Sequence, residues 1–186
     1  MFEFIARHPA IELTLDLEDR FVDLFDEGYD AVVRHGPVNG KRVIVKPLAT
    51  SARLLVASPS YLERWGRPAS LDDLKQHKGI MYSNRGAADW RFRAGRRFIS
   101  VQPRTVLRLN NGLMMREAAR RGLGIALLPT FFLEATRKDR TLRVVDVGAE
   151  AEGATLYIAY PEHLRASAKI RALTTWLQTA FGVLRS

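Results

Sequence analysis

Residues 11–17 alternate apolar and polar positions, with Ile11, Leu13, Leu15 and Leu17 set against Glu12, Thr14 and Asp16, which predicts a strand with one buried face. The period then changes. Phe21, Val22, Leu24 and Phe25 recur at helical spacing and Gly28 supplies a stop, so a helix is expected there. Ahead of the strand, residues 2–7 read as the tail of a helix. It ends at His8 because the residue before a proline, here Pro9, avoids the α region. The apolar run at 31–33, bounded by Asp30 and Arg34, predicts a short buried parallel strand.

The rest of the chain keeps switching between the two periods. Strands are expected at 43–48 and 53–58, after a loop at 36–40. Ser58 is placed to cap a helix that has Pro59 in its first turn, and Ser70 with Asp73 has the spacing of a capping box. Residues 80–82 read as a strand, 90–101 as a hairpin around Ala94 and Gly95, and 105–109 as a strand running into Asn110, Asn111 and Gly112. A helix over 113–121 closes at Gly122, and 124–129 is a buried strand. A helix from about residue 131, strands at 142–147 and 156–160, and a helix over 167–181 complete the reading. The last helix carries Ile170, Leu173, Leu177 and Phe181 on one stripe. Strands and helices that alternate with short connections predict a mainly parallel α/β architecture. There is no internal repeat and no low-complexity linker.

Composition narrows the function classes. The 186 residues are 47% apolar and 26% charged, a globular balance with enough chain for one core or two small lobes. No apolar run approaches the roughly 20 residues that span a bilayer. Glu3 and Arg7 interrupt the N-terminal segment where a secretory signal needs an apolar stretch, so a cytoplasmic location is expected. With no cysteine, disulfides, thiolate zinc sites and a cysteine nucleophile are excluded. Lys plus Arg number 29 against 20 Asp plus Glu, a net charge of +9 that favours anionic partners. The basic residues are dense at 91–97 and 116–121 and otherwise spread, which a solvated basic surface explains better.

Catalytic constellations are lacking. His8, His35, His77 and His163 have no metal-ligand spacing, and there is no Gly-x-Ser-x-Gly elbow, phosphate loop or Gly-x-Gly-x-x-Gly turn. Ser58 and Ser60 have no placed base, and Asp72 with Asp73 suits a helix start. The reading is therefore not an enzyme, with no cofactor and no metal.

Five segments taken in order carry a resemblance. LEDRFVDL at 17–24, EGYDAVVR at 27–34, LVASPSYL at 55–62, Asn110-Asn111-Gly112, and GLGIALLP at 122–129 resemble the effector-binding domain of LysR-type transcriptional regulators. The resemblance runs from about residue 8 to about residue 180. It implies the two-lobed fold of type 2 periplasmic binding proteins, with crossing strands near 53–58 and 156–160 and a ligand cleft between the lobes. Lobe one would be residues 1–57 and 156–186, and lobe two 58–155. It also implies a regulatory role in which a small anionic metabolite, a carboxylate or an aromatic compound, binds the cleft and controls transcription. A full regulator of this kind carries an N-terminal helix-turn-helix, the only part expected to touch DNA. That element and the first strand of lobe one are not in these residues, since Met1 already falls in the first sensor helix. The alternatives are the solute-binding protein of a transport system, which shares the fold, and a direct nucleic-acid binder suggested by the charge.

Candidate site residues follow from both lines of argument. Ser83 and Asn84 come after a strand, at the carboxyl end where parallel sheets bind ligands, although an ordinary polar turn fits them equally. Asn111 suits simple helix capping, while the resemblance implies effector contact for Asn110 and for the loop at Pro129. In lobe one, Asp19 and Arg20 follow one strand and Arg34, His35 and Gly36 follow the next. Arg34 suits a carboxylate clamp or a salt bridge with Asp19 or Asp30, and His35 reads as a surface loop residue. Tyr82 and Trp90 suit core packing better than an aromatic wall. The resemblance further implies an antiparallel homodimer, or a homotetramer built on it. Phe4 and Leu13 of the first-lobe segments would meet Met115 and Arg120 of the helix at 113–121.

Overall fold

The computed structural model describes residues 1–18, 20, 22, 24, 26–36, 38, 40–83, 90–133 and 140–182. The chain forms two compact units, Met1–Thr50 with Thr155–Ser186, and Ser51–Ala154. It is a mixed α/β fold in two lobes.

The first unit holds a three-stranded sheet in the order β1-β10-β2, from β1 (Val32–His35), β2 (Val43–Ser51) and β10 (Ala154–Pro161). Its helices are α1 (Phe2–Arg7) and α5 (Ala168–Gly182). Leu48, Ile158, Tyr160, Ile170 and Leu177 form the core, with Leu173 and Phe181 packed against it as the helical stripe predicted. Phe4 of α1 is 1% exposed, its ring 5.7 Å from that of Trp176 on α5 and 4.7 Å from that of His8.

Three expectations for this unit change. Residues 11–18 form no strand, and Leu15 and Leu17 are 52% and 87% exposed. A period-two pattern yields a strand only where a neighbouring strand takes its N–H and C=O groups, and none does so among the described residues. The run at 31–33 becomes β1, but it pairs antiparallel with β10, Val32 opposite Ala159 and His35 opposite Leu156, and is half-buried. Of the helix expected around Phe21, Val22, Leu24 and Phe25, residues 22 and 24 are described and neither is helical; residues 21 and 25 lie outside the described set.

The second unit is built on a five-stranded sheet ordered β7-β4-β8-β3-β9. The strands are β3 (Arg53–Ala57), β4 (Lys78–Tyr82), β7 (Arg104–Leu109), β8 (Ile125–Pro129) and β9 (Arg143–Val144). β4 runs parallel to β7 and β8, whereas β3 runs antiparallel to β8 and β9, so the sheet is mixed rather than mainly parallel. The hairpin of β5 (Trp90–Ala94) and β6 (Arg97–Val101) turns at Gly95 as the sequence predicts. Both faces of the sheet are covered. On one, Leu55, Met81, Ile125 and Leu127 meet Tyr61 and Leu74 of α2 (Pro59–Trp65) and α3 (Leu71–Leu74), together with Trp90, Phe92 and Val101 of the hairpin. On the other, Val56, Ile80, Ala126 and Leu128 meet Met115, Ala118 and Ala119 of α4 (Gly112–Arg120). That double burial is why 125–128 reads as an unbroken apolar run.

Local capping follows the sequence. Ser58 Oγ accepts from the Tyr61 N–H at 3.1 Å, and Ser70 and Asp73 close a reciprocal capping box. The segment GLG ahead of β8 has a packing cause. Gly122 has φ +76°, and a Cβ on Gly124 would lie 2.6 Å from the Lys78 carbonyl oxygen, so α4 ends and β8 begins in direct contact with β4. After β8 a single 3₁₀ turn, Thr130–Phe132, stands where a helix start was expected, and residues 134–139 lie outside the described set. The strand expected at 142–147 is confined to Arg143–Val144.

Candidate functional site

Because β4 lies between β7 and β8 and is parallel to both, the carboxyl ends of three strands share one edge of the second unit. Ser83, Asn110 and Pro129 stand at those ends. The Ser83 N–H donates to the Leu109 carbonyl at 2.8 Å, tying the first two together. Ser83 and Asn110 are exposed and Pro129 is half-buried. Asn111 caps α4, its Oδ1 accepting from the Met114 N–H at 3.0 Å, so the helix begins at this edge with its positive end there. Asp19 and Asn84 lie outside the described residues.

Sequence reasoning missed three residues at this edge. β3 is antiparallel to β8, so its beginning lies beside the end of β8, and Arg53 pairs with Pro129. Ser51 and Thr130 join their hydroxyls at 2.9 Å, and the Thr130 N–H donates to the Ala52 carbonyl at 2.9 Å. Arg53 is half-buried, and its Nε donates to the Glu152 backbone carbonyl at 2.5 Å while Arg91 takes the Glu152 carboxylate. Burial lowers the Arg53 pKa; Glu152 opposes this and Arg91 adds to it. A lone arginine opening an apolar strand was the available signal.

In the first unit Arg34 and Gly36 sit at the end of β1. Gly36 donates its N–H to the Thr155 carbonyl at 3.1 Å, and Thr155 Oγ1 lies 3.1 Å from Thr50 Oγ1. Arg34 Nε reaches the His35 carbonyl at 3.4 Å. His35, expected in a surface loop, is the last residue of β1 and is half-buried. Its burial pulls its pKa below 6.5, against a smaller opposing contribution from the Thr155 backbone. Arg20 is held by the Glu27 and Glu18 carboxylates, which raise its pKa. Tyr82 packs against the α4-side core and Trp90 is buried in the other, so both serve packing as the sequence suggests.

Of the residues expected at a dimer contact, Phe4 and Met115 are buried within their own units, Leu13 is half-buried, and Arg120 is exposed. Arg120 Nε and Arg121 Nε both donate to the Glu117 carboxylate at 2.7 Å and hold its pKa down at about 2. Among the described residues, no group of three or more His, Asp or Glu is placed to hold a metal ion, and no helix is long and apolar enough to cross a membrane.

Residues 1–182 match the family described as the LysR substrate binding domain. The chain belongs to that family. LysR relatives named as transcriptional regulators agree. An uncharacterized HTH-type transcriptional regulator, YhjC of Escherichia coli, is 32% identical over 189 residues, covering 94% of this chain and 60% of the relative. An uncharacterized HTH-type transcriptional regulator of Haemophilus influenzae is 29% identical over 175 residues, covering 92% and 60%. The chain thus spans about 60% of the length of these LysR relatives. Solved structures share the fold. CrgA, a LysR-type regulator from Neisseria meningitidis, superposes with a TM-score of 0.80 at 20% identity, covering 97% of this chain and 62% of that one. The Vibrio cholerae virulence activator AphB superposes with a TM-score of 0.77 at 22% identity, covering 97% and 62%. Regulatory substrate-binding domains of LysR-type regulators are therefore its kin, and the transport-protein alternative gains no support from these relatives.

Proposed function

We propose that this domain senses a small anionic metabolite, a carboxylate, in the cleft that its family's two-lobed fold implies. The bound effector controls transcription through a helix-turn-helix outside these residues, in the cytoplasm. The observation that carries the reading is the shared carboxyl edge of β7, β4 and β8. There Ser83, Asn110 and Pro129 meet the amino end of α4, a geometry in which parallel strands and a helix terminus favour an oxyanion. Arg34 and Gly36 of the first unit are the partner set, with Arg34 as the cationic fork. Effector binding shifts the population of two arrangements of a homodimer in which α1 and residues 11–17 of one copy face α4 of the other.

The test is the thermal midpoint of the chain against a panel of aliphatic and aromatic carboxylates. A ligand at about 100 times its Kd adds roughly 2.7 kcal/mol of stability, a clear upward shift. Asn110→Ala and Arg34→Gln should abolish that shift. Asn111→Ala should lower stability by about 1 kcal/mol as a lost cap while leaving the ligand response in place. A panel without any stabilising carboxylate, or an unchanged response in both Asn110→Ala and Arg34→Gln, would count against the reading.

A further inference from the structure

The opposite edge of the same sheet, where β4 and β8 begin, holds a cavity of about 390 Å³. Ser60, Arg64 and Trp65 of α2, Lys78 at the start of β4, and Arg121 and Gly122 after α4 line it. Three of its lining residues are cations and none is a carboxylate. Trp65, 48% exposed, takes two of them over its ring, with Lys78 Nζ 4.3 Å and Arg64 Cζ 5.6 Å from the ring centroid. The indole face holds both cations close without neutralising either. Glu117, outside the lining, takes Arg121 Nε at 2.7 Å and so fixes the guanidinium stem. At the other wall the left-handed Gly122 lets the backbone come down on two hydroxyls. A Cβ there would lie 3.3 Å from Ser58 Oγ and 3.4 Å from Ser60 Oγ, which are 3.0 Å from each other.

Gathering like charges in a concavity costs free energy that a bound anion recovers, most effectively an anion with several oxygens. The volume falls in the range of roughly 300–1,000 Å³ typical of small-molecule sites. We propose that this cavity binds a small multivalent oxyanion, of the phosphate or polycarboxylate class, between Arg64, Lys78 and Arg121. The site is separate from the carboxyl edge and does not depend on the effector reading.

The probes are inorganic pyrophosphate and citrate, each titrated into the whole chain by calorimetry at low ionic strength. At least one should bind saturably with one site per chain. Lys78→Gln keeps the backbone N–H that donates to Tyr61 Oη at 3.0 Å. It and Arg64→Gln should each weaken binding about tenfold, roughly 1.4 kcal/mol. Arg121→Gln, at a side chain 71% exposed, checks the same claim with little risk to folding. Lys41→Gln, at an exposed residue of the first unit, is the charge control and should bind as the parent does. Saturation by pyrophosphate alone assigns the phosphate class, and by citrate alone the carboxylate class. Absence of saturable binding by both, parent-like affinity in the three charge variants, or loss of binding in Lys41→Gln would overturn the proposal.

Discussion

Tyr61 and His77 share a hydrogen bond of 3.1 Å between the phenolic Oη and the ring Nδ1, and the Lys78 backbone N–H donates to that same oxygen at 3.0 Å. With the phenol as donor, the neutral ring accepts at Nδ1. Protonating the ring removes that acceptor. Burial pulls the His77 pKa below 6.5, opposed by the Asp73 carboxylate, and His35 is lowered by burial in the same way.

Stability should therefore fall as pH drops through about 6.5, because the unfolded chain binds protons there that the folded chain excludes. The loss is complete once pH is below the folded-state pKa values. Asp73 and Glu117, both lowered by hydrogen bonds that stabilise their anions, begin to lose their contributions only below about pH 4.5, lower than where the histidine loss begins. Urea titrations between about pH 5 and 8 should show a shallower dependence in His77→Gln than in the parent. Identical slopes would remove His77 from the account.

Thr174 of α5 is 3% exposed, and its Oγ1 has no hydrogen-bond partner among the described residues. A buried hydroxyl left in that state costs about 1 kcal/mol or more. Thr174→Val keeps the shape and removes the polar atom, so the denaturation midpoint should rise by a margin corresponding to about 1 kcal/mol. A fall in the midpoint would mean that the hydroxyl is satisfied.

Gly112 begins α4 against the ring of Phe132, and a Cβ at this position would lie 2.5 Å from two ring carbons. The gain in helix propensity from Gly112→Ala, up to about 1 kcal/mol, is outweighed by overpacking of about 1–3 kcal/mol. The single variant should be destabilised. Adding Phe132→Leu should restore part of the loss, so the double variant is more stable than the two single costs add up to. Strict additivity would place the strain elsewhere.

Arg120 is an exposed residue of α4, the helix we propose for the homodimer contact. Arg120→Glu sets a second carboxylate beside Glu117 and should raise the dimer dissociation constant by at least about tenfold in sedimentation experiments. Lys41→Glu, an equal charge change at an exposed residue of the first unit, is the control and should sediment as the parent does. Equal behaviour of both variants would remove Arg120 from the interface.

What the chain reveals before folding is what its neighbours in sequence decide. Ser58, Ser70 and Asn111 were recognisable as caps because each bonds an N–H within three residues. The hairpin at Gly95 and the stripe on α5 are equally local. Residues 11–17 failed for the converse reason, since their alternation needs a partner strand that the pattern cannot name. The direction of β1 was likewise set by β10, more than a hundred positions away. For the site, each strand end was visible, but the order β7-β4-β8 that brings Ser83, Asn110 and Pro129 to one edge was not. Arg53 escaped because only the antiparallel insertion of β3 carries its first residue to that edge. Arg64, Lys78 and Arg121 each read as ordinary surface charge until the fold set them around one cavity.

The hydroxyl pair of Thr50 and Thr155 marks where the chain leaves the first unit and where it comes back. Departure and return lie side by side, so the second unit is one continuous stretch of chain entered and left at neighbouring points of the first. A continuous insert of that kind can vary without recutting the host sheet, because the register of β1 on β10 is set within the first unit. The first unit has no such freedom. Its sheet is completed only when β10 joins it after residues 51–154, so the first unit cannot close until the chain has passed through the whole of the second.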